Sequence, residues 1–296
     1  MAVTGETKRE NMFVSVVLDH AALTLRPLPW RDTRDPWAVC VSEVMLQQTG
    51  VARVREYFMR FIDLFPTVGA CAAAPQAQVV AAFSGLGYNR RAVYLHRTAV
   101  AVTNDHGGVF PDTLTALMRL PGIGPYTARA LLAFAFEQDV AVVDTNVSRL
   151  LARAVAGRPL GAKEVQAQAD ALVPDGSGWL WNQGMLDFAA TICTKRAPAC
   201  ERCAFVTDCV WHAGGKPLPD PAEGSAFVTA TQARFAGSDR QGRGRLIAAL
   251  TNGPIAIDAL AQITGWQDDV RVMRMLDGVI KDGLVTRHND TVELTS

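Results

Sequence analysis

Four cysteines crowded into one short stretch constrain this chain more than any other feature. Cys193, Cys200, Cys203 and Cys209 follow one another with six, two and five residues between them. Four thiolates so placed hold either one zinc ion or one iron–sulfur cluster. Structural zinc sites usually join two Cys-x2-Cys knuckles that lie far apart in sequence. Here one Cys-x2-Cys pair sits inside a single loop that carries all four sulfurs, a compact wrap that suits a [4Fe–4S] cubane better. Cys40 and Cys71 stand alone. Residues 1–11 are polar and mixed in charge, with no basic-then-apolar leader, and no apolar run approaches the roughly 20 residues that span a bilayer. The expectation is a cytoplasmic protein with no membrane contact, where clustered cysteines bind metal rather than pair as disulfides.

With 296 residues, 49 % of them hydrophobic, the chain has material for two or three packed modules. Apolar residues recur at helical spacing over 37–48, 51–64, 77–83, 90–105, 112–119, 125–136, 146–156, 162–172 and 179–191, with Gly and Pro between them. Residues 140–143 read as an extended link entering a helix. Residues 214–225 are rich in Pro and Gly and read as a linker. Beyond them come three helical segments, 242–250, 255–264 and 268–281, then 284–287 and 291–295 about a turn at 288–290. Three helices followed by a hairpin is the pattern of a winged helix. The formal net charge is zero, which argues mildly against a nucleic-acid partner. It does not exclude one, since backbone N–H groups and helix N-termini also hold phosphates.

Residues 117–128 (LMRLPGIGPYTA) describe two helices joined by a tight hairpin. Pro121 and Gly122 end the first, Gly122 and Gly124 let the backbone turn, and Pro125 suits the first turn of the second. Several N–H groups then converge on one point, a site for a phosphate that ignores sequence. Glu43 lies among Val41, Val44, Met45 and Leu46. Burial there would raise its pKa and keep it protonated. Asp144 ends the extended link just before a helix, where free N–H groups and the macrodipole favour a carboxylate anion.

The cysteine spacing, the hairpin and residues 42–49 (SEVMLQQT) together resemble the endonuclease III and MutY branch of the helix–hairpin–helix DNA glycosylases. The resemblance spans roughly residues 20–212. It implies an all-α fold: a six-helix barrel module at 28–142, an iron–sulfur module from 1–27 and 143–213, the linker at 214–225 and a winged-helix-like module at 226–296. It implies a monomer that acts on mispaired double-stranded DNA, nucleoid-associated if bacterial, and excises adenine opposite 8-oxoguanine or guanine. The [4Fe–4S] cluster would shape a loop in which Lys195, Arg196 and Arg202 meet phosphates. Glu43 would protonate the flipped adenine, and Asp144 would stabilise the sugar cation with Asn146 as its hydrogen-bonding neighbour. Gln47, Gln48 and Thr49 would contact the orphaned base, and Leu86 and Tyr88 would wedge into the stack. Arg26, Trp30, Arg31, Leu46 and Asp187 would line the adenine pocket.

Tyr126 stands in the hairpin where the lyase branches carry a Lys, and Tyr cannot form an imine. A monofunctional enzyme is expected, with Tyr126 supporting the sugar site. The chain departs from the family in three ways. It is too short for the nucleotide-hydrolase-like domain of longer MutY proteins, Thr145 replaces a Gly between Asp144 and Asn146, and Asn89 replaces an aromatic or small residue. Two rival readings follow, a thymine or uracil mismatch glycosylase and a non-catalytic iron–sulfur sensor of DNA damage. A bifunctional lyase is less favoured.

Overall fold

A computed structural model describes residues 5–227 and 234–296. Residues 1–4 and 228–233, parts of the expected N- and C-terminal modules, lie outside the described residues. The helices are α1 (Gly5–Thr24), α2 (Pro36–Leu46), α3 (Val51–Leu64), α4 (Val68–Ala73), α5 (Gln76–Ala82), α6 (Arg90–Asp105), α7 (Leu114–Leu117), α8 (Pro125–Phe134), α9 (Thr145–Leu151), α10 (Ala162–Ala171), α11 (Gly178–Thr191), α12 (Val210–Ala213), α13 (Asp239–Leu250), α14 (Leu260–Thr264) and α15 (Asp269–Lys281). Three short strands, β1 (Ile255–Ala256), β2 (Val285–His288) and β3 (Thr291–Leu294), complete the fold. No helix among the described residues is long and apolar enough to cross a membrane. The chain divides into two compact units, Met1–Arg31 with Ala128–Thr231 and Asp32–Thr127 with Gln232–Ser296.

In the second unit α2 is buried over most of its length, because its sequence offers almost no polar face. Asp35 caps it by accepting from the Trp37 N–H, and Pro36 occupies the first turn. Helix α3 is amphipathic and buries Val54, Phe58 and Phe61, one stripe at helical period. Phe61 packs its ring against Trp37, Phe65 and Phe83. Trp37 also donates its indole N–H to the Phe65 carbonyl at 2.9 Å.

The C-terminal module belongs to this same unit. Its sheet has the order β1-β3-β2, and β2 pairs with β3 antiparallel through a two-residue turn whose Asn289 has φ +52°. The three helices and the hairpin match the winged-helix-like expectation. One difference is β1, where residues 255–256 leave the expected helix to pair with β3. The module docks on the barrel where the Gln76 amide donates to the Gly283 carbonyl at 2.8 Å and Arg90 faces Asp282.

The first unit is built on α1 and α11: Phe13 of α1 meets Trp181 of α11 and Phe205 of the cysteine loop edge-on. Residues 214–225 do not behave as the expected free linker. Asp220 pairs with buried Arg153, Trp211 donates to the Pro217 carbonyl, and the Ala226 N–H donates to the Leu160 carbonyl. The segment is a strap, because its Asp220 carboxylate and Ser225 hydroxyl accept from donors on the unit beneath and the following Ala226 N–H donates to a carbonyl there.

Candidate active site

Glu43 lies in the third turn of α2 and is 6 % exposed. The end of that helix is held by one side chain. The Arg91 guanidinium donates to the carbonyls of Val44 (2.9 Å), Met45 (2.8 Å) and Gln47, and also to the Thr49 hydroxyl (3.1 Å). On its other side it donates to the carbonyls of Leu86 (3.3 Å) and Gly87 (2.8 Å). The last carbonyls of a helix have no partner within it, and a cation there also meets the negative end of the dipole. Burial pulls the Arg91 pKa down to about 10, against the opposing influence of Tyr88, so it stays charged at neutral pH.

Arg91 thereby fixes the segment of Leu46, Gln47, Gln48 and Thr49 against the turn of Gly85–Tyr88. Gln48 is exposed and has φ +58°. Thr49 donates its hydroxyl to the Leu86 carbonyl at 3.3 Å. The two expected wedges separate. Leu86 is 5 % exposed, whereas Tyr88 is 42 % exposed with φ +49°. A Tyr in that backbone region carries strain, which tertiary contacts must hold in place. Tyr88 is thus the more exposed of the two, and both line the same recess.

The turn of the hairpin lies in the same unit, and most of α8 belongs to the first. Helix α7 is shorter than expected, and Thr113 caps it. Gly122 has φ +78°, and a Cβ there would lie 2.6 Å from the Tyr94 Cβ, so only glycine fits. The Thr98 hydroxyl donates to the Pro121 carbonyl at 2.6 Å and locks the turn to α6. Gly124 has open space around it, and Tyr126 stands half-buried in the first turn of α8.

Asp144 belongs to the first unit. The link before it is held by Asn182, whose carboxamide accepts from the Val142 N–H (2.7 Å) and donates to the Val140 carbonyl (2.8 Å). Asp144 then caps α9. One carboxylate oxygen accepts from the backbone N–H groups of Asn146 (2.8 Å) and Val147 (2.7 Å), and the other from the Asn146 side chain (2.6 Å). The Asn146 side-chain oxygen accepts in turn from Arg149 at 3.0 Å. Arg149 also donates to the Cys193 and Ala189 carbonyls, both at 2.8 Å. The amide that holds the carboxylate and the cysteine loop therefore share one guanidinium.

Arg26, Trp30, Arg31 and Asp187 gather in this unit, while Leu46 belongs to the other one. Asp187 is 1 % exposed. It accepts from the Arg26 backbone N–H at 3.0 Å, from the Arg26 side chain at 2.8 Å and from both terminal nitrogens of Arg31 at 2.8 Å. Trp30 is buried beside Arg31. A carboxylate so fully engaged is an anchor joining the segment after α1 to α11. Burial opposes its ionisation, but the hydrogen bonds from Arg31 and Arg26 prevail and hold the carboxyl at about 2.

A pH-dependent stability follows. A carboxyl depressed from its ordinary 3.8 contributes stability that is complete above that value and lost as the pH falls through about 2. The contribution is about 2 kcal/mol. Thermal melts of wild type and Asp187→Asn should show a gap that is constant above about pH 5 and narrows towards pH 2. A gap independent of pH would contradict this role.

The four cysteines line a recess of about 410 Å³, counting the space it opens to. Its other walls include Leu150, Phe188, Ile192, Phe205 and Trp211. Among the described residues no three or more His, Cys, Asp or Glu side chains converge closely enough to hold a single metal ion. Four thiols around an apolar-walled recess are a donor set that an iron–sulfur cluster or a zinc ion could use. Arg153 points a guanidinium N–H at the Cys193 sulfur (3.6 Å) and donates to the Thr194 carbonyl (2.8 Å). A cation so placed offsets the negative charge of liganding thiolates. Lys195, Arg196 and Arg202 are exposed around the loop.

Arg91, Arg149 and Arg153 are the residues that sequence reasoning missed. Their partners are mostly backbone carbonyls, which leave no mark on residue identity. The signal available was the position of Arg149 and Arg153 inside an otherwise apolar helical stretch; Arg91, beside Arg90 at the start of α6, left none.

Residues 41–175 match the family described as "HhH-GPD superfamily base excision DNA repair protein". The adenine DNA glycosylase of Mycolicibacterium smegmatis is 38 % identical over 92 % of this chain and 91 % of its own length. Among solved structures, a thermostable thymine-DNA glycosylase aligns with a TM-score of 0.66 at 30 % identity, covering 71 % of this chain and 100 % of that one. A trapped endonuclease III–DNA covalent intermediate aligns with a TM-score of 0.61 at 20 % identity over 73 % of this chain and 100 % of that one, a likeness of fold.

Proposed function

The chain belongs to the helix–hairpin–helix superfamily of base excision DNA repair proteins, with adenine DNA glycosylases among its relatives, and from that premise we propose that it excises adenine mispaired with 8-oxoguanine or guanine. The observation that carries the reading is Glu43, a carboxyl buried in an apolar helix whose end Arg91 clamps. Adenine leaves a sugar poorly as an anion and needs a proton as the bond breaks. A carboxyl kept out of water holds that proton. Thymine and uracil depart more readily as anions, so a buried acid favours the purine. The extent of similarity points the same way. The match to the adenine enzyme leaves 8 % of this chain uncovered, less than the C-terminal module, so it runs into that module. The likeness to the thymine enzyme spends that whole chain on 71 % of this one.

In this mechanism the hairpin binds a phosphate through its backbone N–H groups, Tyr88 enters the stack, and the adenine rotates out. Glu43 delivers its proton to the base as the N-glycosidic bond breaks and the electron pair leaves with the base. Asp144, positioned by Asn146 and Arg149, faces the positive charge that develops on the sugar. Water adds at the sugar carbon, and its proton returns to Glu43. Tyr126 forms no imine, so the phosphodiester backbone stays intact until alkali is added. Cys193, Cys200, Cys203 and Cys209 would hold a [4Fe–4S] cluster, which braces the loop when bound. The protein acts on duplex DNA as a monomer.

Single-turnover excision on duplexes carrying A:8-oxoG, A:G, T:G and U:G separates the readings. Cleavage confined to the adenine mispairs is expected. Cutting of T:G with both adenine duplexes intact would make the chain a pyrimidine-mismatch enzyme. Tight DNA binding with no excision on any duplex would favour the sensor reading.

A further inference from the structure

We infer that the C-terminal module forms the second wall of the DNA groove, and that its helix α13 receives the phosphodiester backbone of the strand left with the orphaned base. The identity of that strand rests on the glycosylase reading above. Within the second unit, a recess of about 2170 Å³, counting the solvent it opens to, lies between the barrel and α13. The barrel side presents Gln47, Gln48 and Tyr88, the residues expected to meet a base and enter the stack. The α13 side presents Arg240, Arg243, Gly244 and Arg245.

Charge decides what this recess takes. Arg53, Arg90 and Arg91 line it from the barrel, making six arginines against one carboxylate, Asp282, which pairs with Arg243 and Arg90. The whole chain has a formal net charge of zero, so this concentration is a local excess that composition conceals. An open, arginine-walled groove fits a polyanion. Tyr88, Tyr94 and Phe235 interleave aromatic faces with these cations, the arrangement that suits a nucleic-acid strand rather than an isolated anion.

Two details tie α13 to the site. The Arg240 guanidinium donates to the Tyr88 hydroxyl at 3.1 Å and lies 5.9 and 5.8 Å from the Tyr88 and Phe235 ring centres. The strained side chain that the barrel presents is therefore steadied from the C-terminal module. Helix α13 also carries two glycines in its interior, where glycine weakens a helix. Gly242 has a packing reason, since a Cβ there would lie 2.3 Å from the Trp266 ring. Gly244 has none, because a Cβ would meet nothing within 4 Å, and it faces the recess. A bare backbone at that point allows close approach of a ligand.

The test compares full-length, cluster-loaded wild type with Arg240→Gln and Gly244→Glu by fluorescence anisotropy on an A:8-oxoG duplex over a KCl series. Arg240→Gln should bind about tenfold more weakly and lower the slope of log Kd against log salt by about one. Gly244→Glu should weaken binding by more than tenfold while melting like wild type. Should it melt lower, Arg53→Gln on the opposite wall replaces it, with the same expectation as Arg240→Gln. Either tested variant binding within twofold of wild type, with an unchanged slope, overturns the inference. If wild type excises no adenine, the substrate reading fails. The binding comparison still stands, because variant and wild type meet the same duplex.

Discussion

Replacing Glu43 by glutamine should lower adenine excision by about 10²–10⁴-fold while leaving the fold and DNA affinity close to wild type. Glutamine has the same shape and fits the same turn of α2, but it has no proton of suitable acidity to give the departing base. Removing a buried ionisable group costs the fold little, since Glu43 is enclosed by an apolar helix. Single-turnover excision at saturating enzyme isolates the chemical step, and a melt and a Kd measured alongside isolate the rest. A variant that keeps more than a tenth of the wild-type rate would remove Glu43 from the reaction. A variant that loses rate and affinity together would make it a structural residue.

The second large effect is expected at Arg91. Arg91→Met keeps much of the side-chain volume but leaves the carbonyls of Val44, Met45, Gln47, Leu86 and Gly87 without their buried donor. The cost should be about 3–4 kcal/mol, and the melting temperature should fall by roughly 10 °C. Excision should fall too, even where the variant is folded, because the turn bearing Tyr88 and the helix bearing Glu43 lose their common fastener. A misplacement of about 1 Å can cost about 10²-fold in rate. Arg91→Lys should recover only part of the stability, since one ammonium cannot serve both sides as the planar guanidinium does. A melting temperature within 2–3 °C of wild type for Arg91→Met would show that water replaces the guanidinium at little cost.

What could be read from the sequence was local. The cysteine loop, the hairpin at Pro121–Gly124, the cap at Asp144 and the order of elements in the C-terminal module each depend on neighbours a few residues apart. The tight turns leave marks of their own, since Gly122 is there because Tyr94 occupies the space a Cβ would need. Elements that depend on distant partners were not readable. The 20-residue α1 has a polar sequence with no clean stripe, and it is fixed by ring contacts to α11 and by the anchor at Asp187. The strap at residues 214–225 has the composition of a linker, and only the polar groups beneath it make it dock. Leu86 and Tyr88 looked equivalent in sequence, and the turn sends one inward and the other outward.

Arg149 closes a route by which this protein could change over time. Most positions drift because each answers to one neighbour, and a second substitution elsewhere can repair the damage. The side chain at 149 answers at once to the amide beside Asp144 and to the carbonyl at the entrance of the cysteine loop. One substitution at 149 therefore disturbs the cap of the helix at Asp144 and the cysteine loop together, and the two segments are bound to vary in step.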